Sequence, residues 1–400
     1  MTTTKNNEHK KLNFSSEREQ SQACLNSAEH EKNQGRKVLN VPNLRFKEFQ
    51  GEWEKKSLGE IGESFIGLTY KPTDVVSEGG LIVFRSSNIQ NGCMDYKDIV
   101  RVNKNVKEKL ITKKDDLLVC ARNGSARLIG KNAILHEIDA NQTFGAFMMV
   151  FRSDINHFVH QLLNTRLYSS QVSENLGARI NQITSSDLSS FEFFFPKENS
   201  EMNKIAALLD LLDERIATQN KIIDKLQSLI KGIADKLFQT ARTTKPLLEF
   251  APNITSGTDK SGSGTIPLYG STGIIGTVKN ASQKGNIVLV ARVGTIGTVQ
   301  YVNEPCGVSD NALIVEAGEM TKYIYHFLKT YNFTRITSGT TQPLITASSL
   351  KKAAIPTYDI ESQTRIVLCL NGLEKKLDMA KQYLSDIAVM KRYLLRQMFI

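Results

Sequence analysis

The chain has 400 residues, 40% of them apolar and 23% charged, the composition of a soluble globular protein with room for two or three domains. Fifty-one Lys and Arg against 41 Asp and Glu leave a net charge of +10, which favours an anionic partner without requiring one. Cys24, Cys93, Cys120, Cys306 and Cys369 are odd in number and scattered, no apolar run approaches a membrane span, and no signal-peptide core opens the chain. These features exclude disulfide-built, secreted and membrane-spanning classes and lead us to expect a cytoplasmic protein.

Residues 1–40 are rich in Asn, Gln, Ser, Glu and Lys and nearly free of large apolar side chains. Such a segment cannot offset its ordering entropy, so a disordered tail is expected there. Residues 41–197 alternate short apolar runs with polar turns. Leu81–Phe84, Leu117–Val119, Phe147–Val150 and Phe191–Phe195 read as strands and Ile155–Tyr168 as a helix, giving a mixed α/β domain.

Residues 198–242 change character. Ile205, Leu209, Leu212, Ile216, Gln219, Ile223, Leu226, Ile230, Ile233 and Leu237 are spaced 4-3-4-3, a heptad seam with charges on the outer positions. At about 1.5 Å per residue this predicts a helix of roughly 50 Å whose stripe needs a partner. After a second domain over 243–356, residues 357–400 supply one. Ile366, Leu370, Leu373, Leu377, Ala380, Leu384, Ile387, Lys391, Leu394 and Met398 repeat the spacing, each 161 residues after its counterpart. The expected fold class is α+β: two globular domains, each followed by a long helix, the helices pairing as an antiparallel coiled coil.

The globular parts repeat as well. Gly177-Ala178-Arg179-Ile180-Asn181-Gln182-Ile183-Thr184 aligns with Gly339-Thr340-Thr341-Gln342-Pro343-Leu344-Ile345-Thr346, and Ala121-Arg122-Asn123-Gly124-Ser125 with Ala291-Arg292-Val293-Gly294-Thr295. The plan is domain, rod, domain, rod.

Catalytic signatures are missing. Gly124 to Lys131 places five residues between its glycines and Asn132 after the lysine, unlike a phosphate-cradling loop. Gly307-Val308-Ser309-Asp310-Asn311 lacks the closing glycine of a nucleophile elbow. His157 and His160 have no third ligand at a suitable spacing, so no metal site is expected.

Recognition chemistry is present in duplicate. Arg85, Ser86, Ser87 and Asn88 follow an apolar strand, as do Tyr269, Ser271 and Thr272 in the second domain. A basic turn carries Arg122, Asn123, Ser125, Arg127 and Lys131, with Arg292 and Thr295 as the second-domain equivalents. Arg179, Asn181 and Gln182, and Thr340, Thr341 and Gln342, complete the set. Arg suits guanine edges, Asn and Gln suit adenine, and basic turns suit phosphates. No segment is a basic block, so any nucleic-acid binding rests on local patches.

These residues and this layout resemble the specificity subunit of type I restriction–modification systems from Val41 to Ile400. The entry Pro42-Asn43-Leu44-Arg45-Phe46, with Gly51-Glu52-Trp53, Gly339 to Ile345 and Ile355-Pro356, carries the likeness. The first domain departs from it at Ala178 to Gln182. The resemblance implies a non-catalytic subunit whose domains each read half of a bipartite double-stranded DNA site. It implies paired helices that set the gap and dock two methyltransferase subunits, which bind S-adenosylmethionine. Endonuclease subunits using ATP and magnesium can join. This chain itself would hold no cofactor or metal and touch no membrane. The competing readings are a duplicated-coil scaffold for non-DNA ligands and a self-sufficient methyltransferase or nuclease.

Overall fold

The computed structural model describes residues 39–177, 181–339 and 343–400. The tail expected over 1–40 lies outside the described residues up to residue 38. Asn40 already belongs to the fold, because its carbonyl accepts the Trp53 N–H at 2.8 Å. The chain divides into two compact units, one ending at Leu211 and taking in Lys391–Ile400, the other Leu212–Met390.

In the first unit, Glu54–Ser57 pairs antiparallel with Glu192–Phe195, so the strand entering the domain is clasped to the strand leaving it. A four-stranded antiparallel sheet runs Glu63–Ile66, Met148–Arg152, Leu117–Cys120, Asn132–Ile134. A second four-stranded sheet runs Thr143–Phe144, Leu81–Phe84, Arg101–Val102, Val75–Val76. Leu117–Cys120 is a continuous apolar run because it is buried on both faces, with Leu118 and Cys120 packing against Phe84, Phe144 and Met148.

The helix expected over Ile155–Tyr168 is two helices, Asn156–Leu162 and Arg166–Leu176. The break is local chemistry. Thr165 Oγ1 donates to Leu162 O at 2.7 Å and accepts Tyr168 N, while Asn164 Nδ2 donates to His160 O at 3.0 Å. These side chains compete with the helical ladder and cap the second helix instead.

The second unit repeats the plan. Thr243–Pro246 clasps Ala354–Thr357, and an antiparallel sheet runs Thr255–Ser256, Ala312–Val315, Ile287–Ala291, Val299–Val302. Val288 and Val290 face one core with Tyr323, Ile324 and Phe238, while Ile287 and Leu289 face another with Val302 and Val308. The helix Thr321–Thr330 sits against the long-helix side chains Phe238, Ile366 and Leu370.

The two long helices are Asn199–Gln239 and Ile360–Gln397. Every seam position named from the sequence is buried or half-buried in its unit. Within the second unit the helices run antiparallel, since Gln219 Nε2 donates to Ala380 O at 2.9 Å while the Tyr358 hydroxyl donates to Leu237 O. Gln219 is a buried polar group satisfied across the pair, a register-fixing device.

Within the first unit the helix ends are held by the entry segment. Arg45 donates Nε and Nη2 to the two oxygens of Glu201 at 2.7 and 2.8 Å, and Glu201 is 1% exposed. Leu44 N donates to Gln397 O at 2.9 Å, and Phe399 packs edge-on to Trp53 with centroids 6.5 Å apart. The Asn156–Leu162 helix adds an electrostatic contact. His157 Nδ1 lies 2.6 Å from Asp210 Oδ2 and Nε2 lies 3.3 Å from Asp115 Oδ1. The Asp210 hydrogen bond raises the His157 pKa above its ordinary 6.5, outweighing partial burial.

Two outcomes follow. Arg45→Met leaves the buried Glu201 carboxylate without its counter-ion and should destabilise the first unit by about 3 kcal/mol. Trp53, the single tryptophan, lies in that unit and is 2% exposed, so its fluorescence in a urea titration reads the shift directly. The His157 contact stabilises fully below pH 6.5 and is lost as pH rises through the raised value. The melting-temperature advantage of the parent over His157→Gln should therefore shrink as pH climbs above 6.5; a constant advantage would refute the assignment.

Candidate nucleic-acid interface

Three segments of the first unit converge at one end of its sheets. The strand Leu81–Phe84 delivers Arg85 and the turn Ser86–Asn88. The strand Leu117–Cys120 delivers Arg122 to Ser125, and the chain returns at Asn181 and Gln182. Arg122 bridges Gln182 in antiparallel fashion, and Asn123 Nδ2 donates to Ser86 Oγ at 3.0 Å. Asn123 Oδ1 accepts Ser125 N at 3.0 Å, and Asn181 Nδ2 donates to Gly124 O at 3.2 Å. Asn181 holds φ 43°, a left-handed conformation that Asn tolerates. Ser86, Arg122, Asn123, Ser125, Asn181 and Gln182 are thus gathered into one surface.

Beside it lies a groove of about 840 Å³ lined by Tyr70, Arg85, Ser86, Ser87 and Phe147. Arg85 is paired with Asp98 at 2.7 Å, and both residues line the groove. Phe147 was expected inside a strand. It stands instead on the turn before Met148–Arg152, 58% exposed, with the Arg122 guanidinium 5.3 Å from its ring centroid. The sequence signal for this was the Gly145-Ala146 step just ahead of it.

Three sequence-selected residues lie elsewhere. Asn88 is fully buried: Oδ1 accepts Arg85 N at 2.8 Å, and Nδ2 donates to Asp95 O and Asp98 O at 3.0 and 2.9 Å. It builds the turn and has no group left for a base edge, which corrects its assignment as a reader. Lys131 donates to Ile89 O at 2.9 Å, and its burial pushes the ammonium pKa down. With Arg127 it lines a different cavity, of about 580 Å³, together with Arg166. Arg179 lies outside the described residues.

In the second unit, Ser271 and Thr272 sit between the strands Ile266–Tyr269 and Ile274–Val278. Gln300 Nε2 ties this turn down through Gly270 O at 2.9 Å and Ser271 O at 3.3 Å. The Arg292 loop lies alongside, since a Cβ on Gly294 would come within 4.0 Å of Ser271 Oγ. Arg292 N donates to Asn311 O and Ile345 N donates to Arg292 O, each at 3.0 Å. The buried Arg292 Nε has no hydrogen-bond partner among the described residues. Thr295 is exposed on the same loop. Tyr269 is engaged: its hydroxyl donates to Glu304 at 2.8 Å, and burial with that carboxylate pushes the phenol up to about 12. Thr340, Thr341 and Gln342 lie outside the described residues.

The discarded catalytic patterns have structural uses. Ser309 is buried in a turn with its Oγ accepting Asn311 N at 3.4 Å. His160 Nδ1 lies 2.8 Å from Asn132 Oδ1. Among the described residues no three His, Cys, Asp or Glu side chains are grouped to hold a metal, and no helix is long and apolar enough to cross a membrane.

The chain is 29% identical over 173 residues to the type I restriction enzyme EcoKI specificity subunit of Escherichia coli K12, and 26% identical over 198 residues to the StySPI specificity subunit of Salmonella potsdam. These matches take in 41% and 47% of this chain but only 37% and 42% of those relatives' own lengths. Its fold resembles a type I restriction–modification S subunit from M. genitalium, with a TM-score of 0.65 at 19% identity, covering 90% of this chain and 99% of that one. A chain from a structural study of type I R-M complex assembly and conformational transition gives a TM-score of 0.50 at 14% identity, covering 86% of this chain and 96% of the other. Residues 50–228 and 244–388 match the profile of the type I restriction modification DNA specificity domain, well over half of the sequence, and the protein belongs to that family.

Proposed function

We propose that the protein is the non-catalytic targeting subunit of a type I restriction–modification complex. Each unit binds one half of a bipartite double-stranded DNA site, through the Ser86–Arg122–Asn181 surface in the first and the Ser271–Arg292 surface in the second. The paired helices set the gap between half-sites and dock two methyltransferase subunits. S-adenosylmethionine belongs to those subunits, ATP and magnesium to the endonuclease subunits that join them, and the assembly works in the cytoplasm. The observation that carries this reading is duplication with divergence. Both units hold an Arg-bearing loop against a Ser-bearing strand end on the same scaffold, yet the loop side chains differ.

The decisive experiment maps methylated adenines genome-wide in cells with and without the gene. Replacing Val41–Pro196 by the same domain of a relative should change one half of the methylated motif; a change in both halves would refute independent reading. In duplex-binding assays at fixed salt, Arg122→Ala and Arg292→Ala should each relax one base position at a cost of about 1–3 kcal/mol. Variants that discriminate like the parent would refute those roles.

A second outcome concerns the helices. Inserting one heptad between Gln219 and Ile223 keeps the seam in phase and lengthens that helix by roughly 10 Å. Duplex DNA rises about 3.4 Å per base pair, so the gap in the methylated motif should grow by about one to three base pairs with both half-sites unchanged. An unchanged gap in an active variant would show that the helices do not set it.

A further inference from the structure

Phe147 occupies a turn tied down by several backbone hydrogen bonds. Gly145 N donates to Phe84 O at 2.9 Å, and Met148 N closes the turn onto Gly145 O at 2.8 Å. The Phe147 carbonyl then accepts both Ala121 N and Arg122 N, at 2.9 and 3.0 Å. The turn is further fixed by the close approach of Gly67, where an added Cβ would clash with the Gly145 carbonyl oxygen. An exposed aromatic ring is therefore presented on a rigid base.

The second unit builds the same turn with a different side chain. Ser309 N donates to Tyr269 O at 2.9 Å, Ala312 N to Ser309 O at 3.3 Å, and Arg292 N to Asn311 O at 3.0 Å. Asn311 stands where Phe147 stands, and both are exposed beside their Arg loop. One scaffold position thus carries an apolar ring in one domain and a hydrogen-bonding amide in the other, as a position that distinguishes two base sequences would.

The ring's surroundings narrow what it meets. It offers no hydrogen bond, and the apolar feature of a base edge is the thymine methyl in the major groove. Arg122 covers one face of the ring at 5.3 Å, so both faces cannot stack between bases. The same contact holds the guanidinium in place beside the ring, ready for guanine O6 and N7. We propose that Phe147 is a specificity-determining residue of the first domain, packing on a thymine methyl next to a guanine read by Arg122. This rests on the DNA-reading assignment above.

The test uses the full chain and duplexes carrying the mapped motif, with the first domain's half-site identified by the domain exchange. Each thymine of that half-site is replaced in turn by uracil, which deletes only the methyl group. One replacement should weaken binding roughly fourfold, the worth of burying one methyl-sized group. Phe147→Ala and Phe147→Asn should bind the thymine and uracil duplexes alike, with Trp53 fluorescence showing that the unit remains folded. A half-site without thymine, or a parent protein indifferent to every replacement while still preferring the motif to scrambled duplex, would overturn the role of Phe147. No preference for the motif at all would instead overturn the DNA-reading assignment beneath it.

Discussion

A long helix with apolar side chains along one stripe has no stable place of its own in water, and this constraint organises both units. The 41-residue helix Asn199–Gln239 cannot bury its seam against its own small domain. In the second unit the stretch from Leu212 onward meets the stretch ending at Met390, and the globular core grows directly out of that contact. Phe238, Ile366 and Leu370 belong to the same cluster as Val288, Val290 and Tyr323. In the first unit Met398 and Phe399 are buried with Trp53 and Phe158 nearby. The second domain is therefore built on a helix pair, and anything that separated its helices would expose part of its core.

The clasp between entering and leaving strands completes this logic. Glu54–Ser57 with Glu192–Phe195, and Thr243–Pro246 with Ala354–Thr357, close each domain at the point where the chain enters or leaves a long helix. The loops at the far ends of the strands take no part in that closure, and their exposed side chains are not held by it. They can change side chains without disturbing the core, as the pair Phe147 and Asn311 illustrates. The two domains consequently share backbone hydrogen bonds at equivalent places while sharing few exposed side chains.

The helical part was legible because its signal is periodic and long: ten seam positions repeat at a constant offset of 161 residues. The central strands were legible for a different reason. Runs such as Leu117–Cys120 are buried on both faces and so are apolar throughout. The recognition surface was legible only in part, since residue type does not say which way a side chain points. Asn88 and Asn123 are both polar residues after an apolar strand, yet Asn88 folds inward to three backbone groups while Asn123 reaches across to Ser86. Phe147 was hidden for the converse reason, because it adjoins Met148 and Met149 and reads as the start of their strand. The break at Asn164 and Thr165 was missed because an apolar rhythm on either side conceals two side chains that bond to the preceding turn.

Charge bears on how such a surface could bind. Several cations of the first unit already face carboxylates: Arg45 meets Glu201, Arg85 meets Asp98, Lys104 meets Asp74 and Arg152 meets Asp116. Arg122 differs, since its guanidinium lies over the Phe147 ring and its side chain is exposed. A surface of this kind offers few charges to neutralise phosphates, and on the proposed reading it would hold a single half-site weakly while still discriminating among bases.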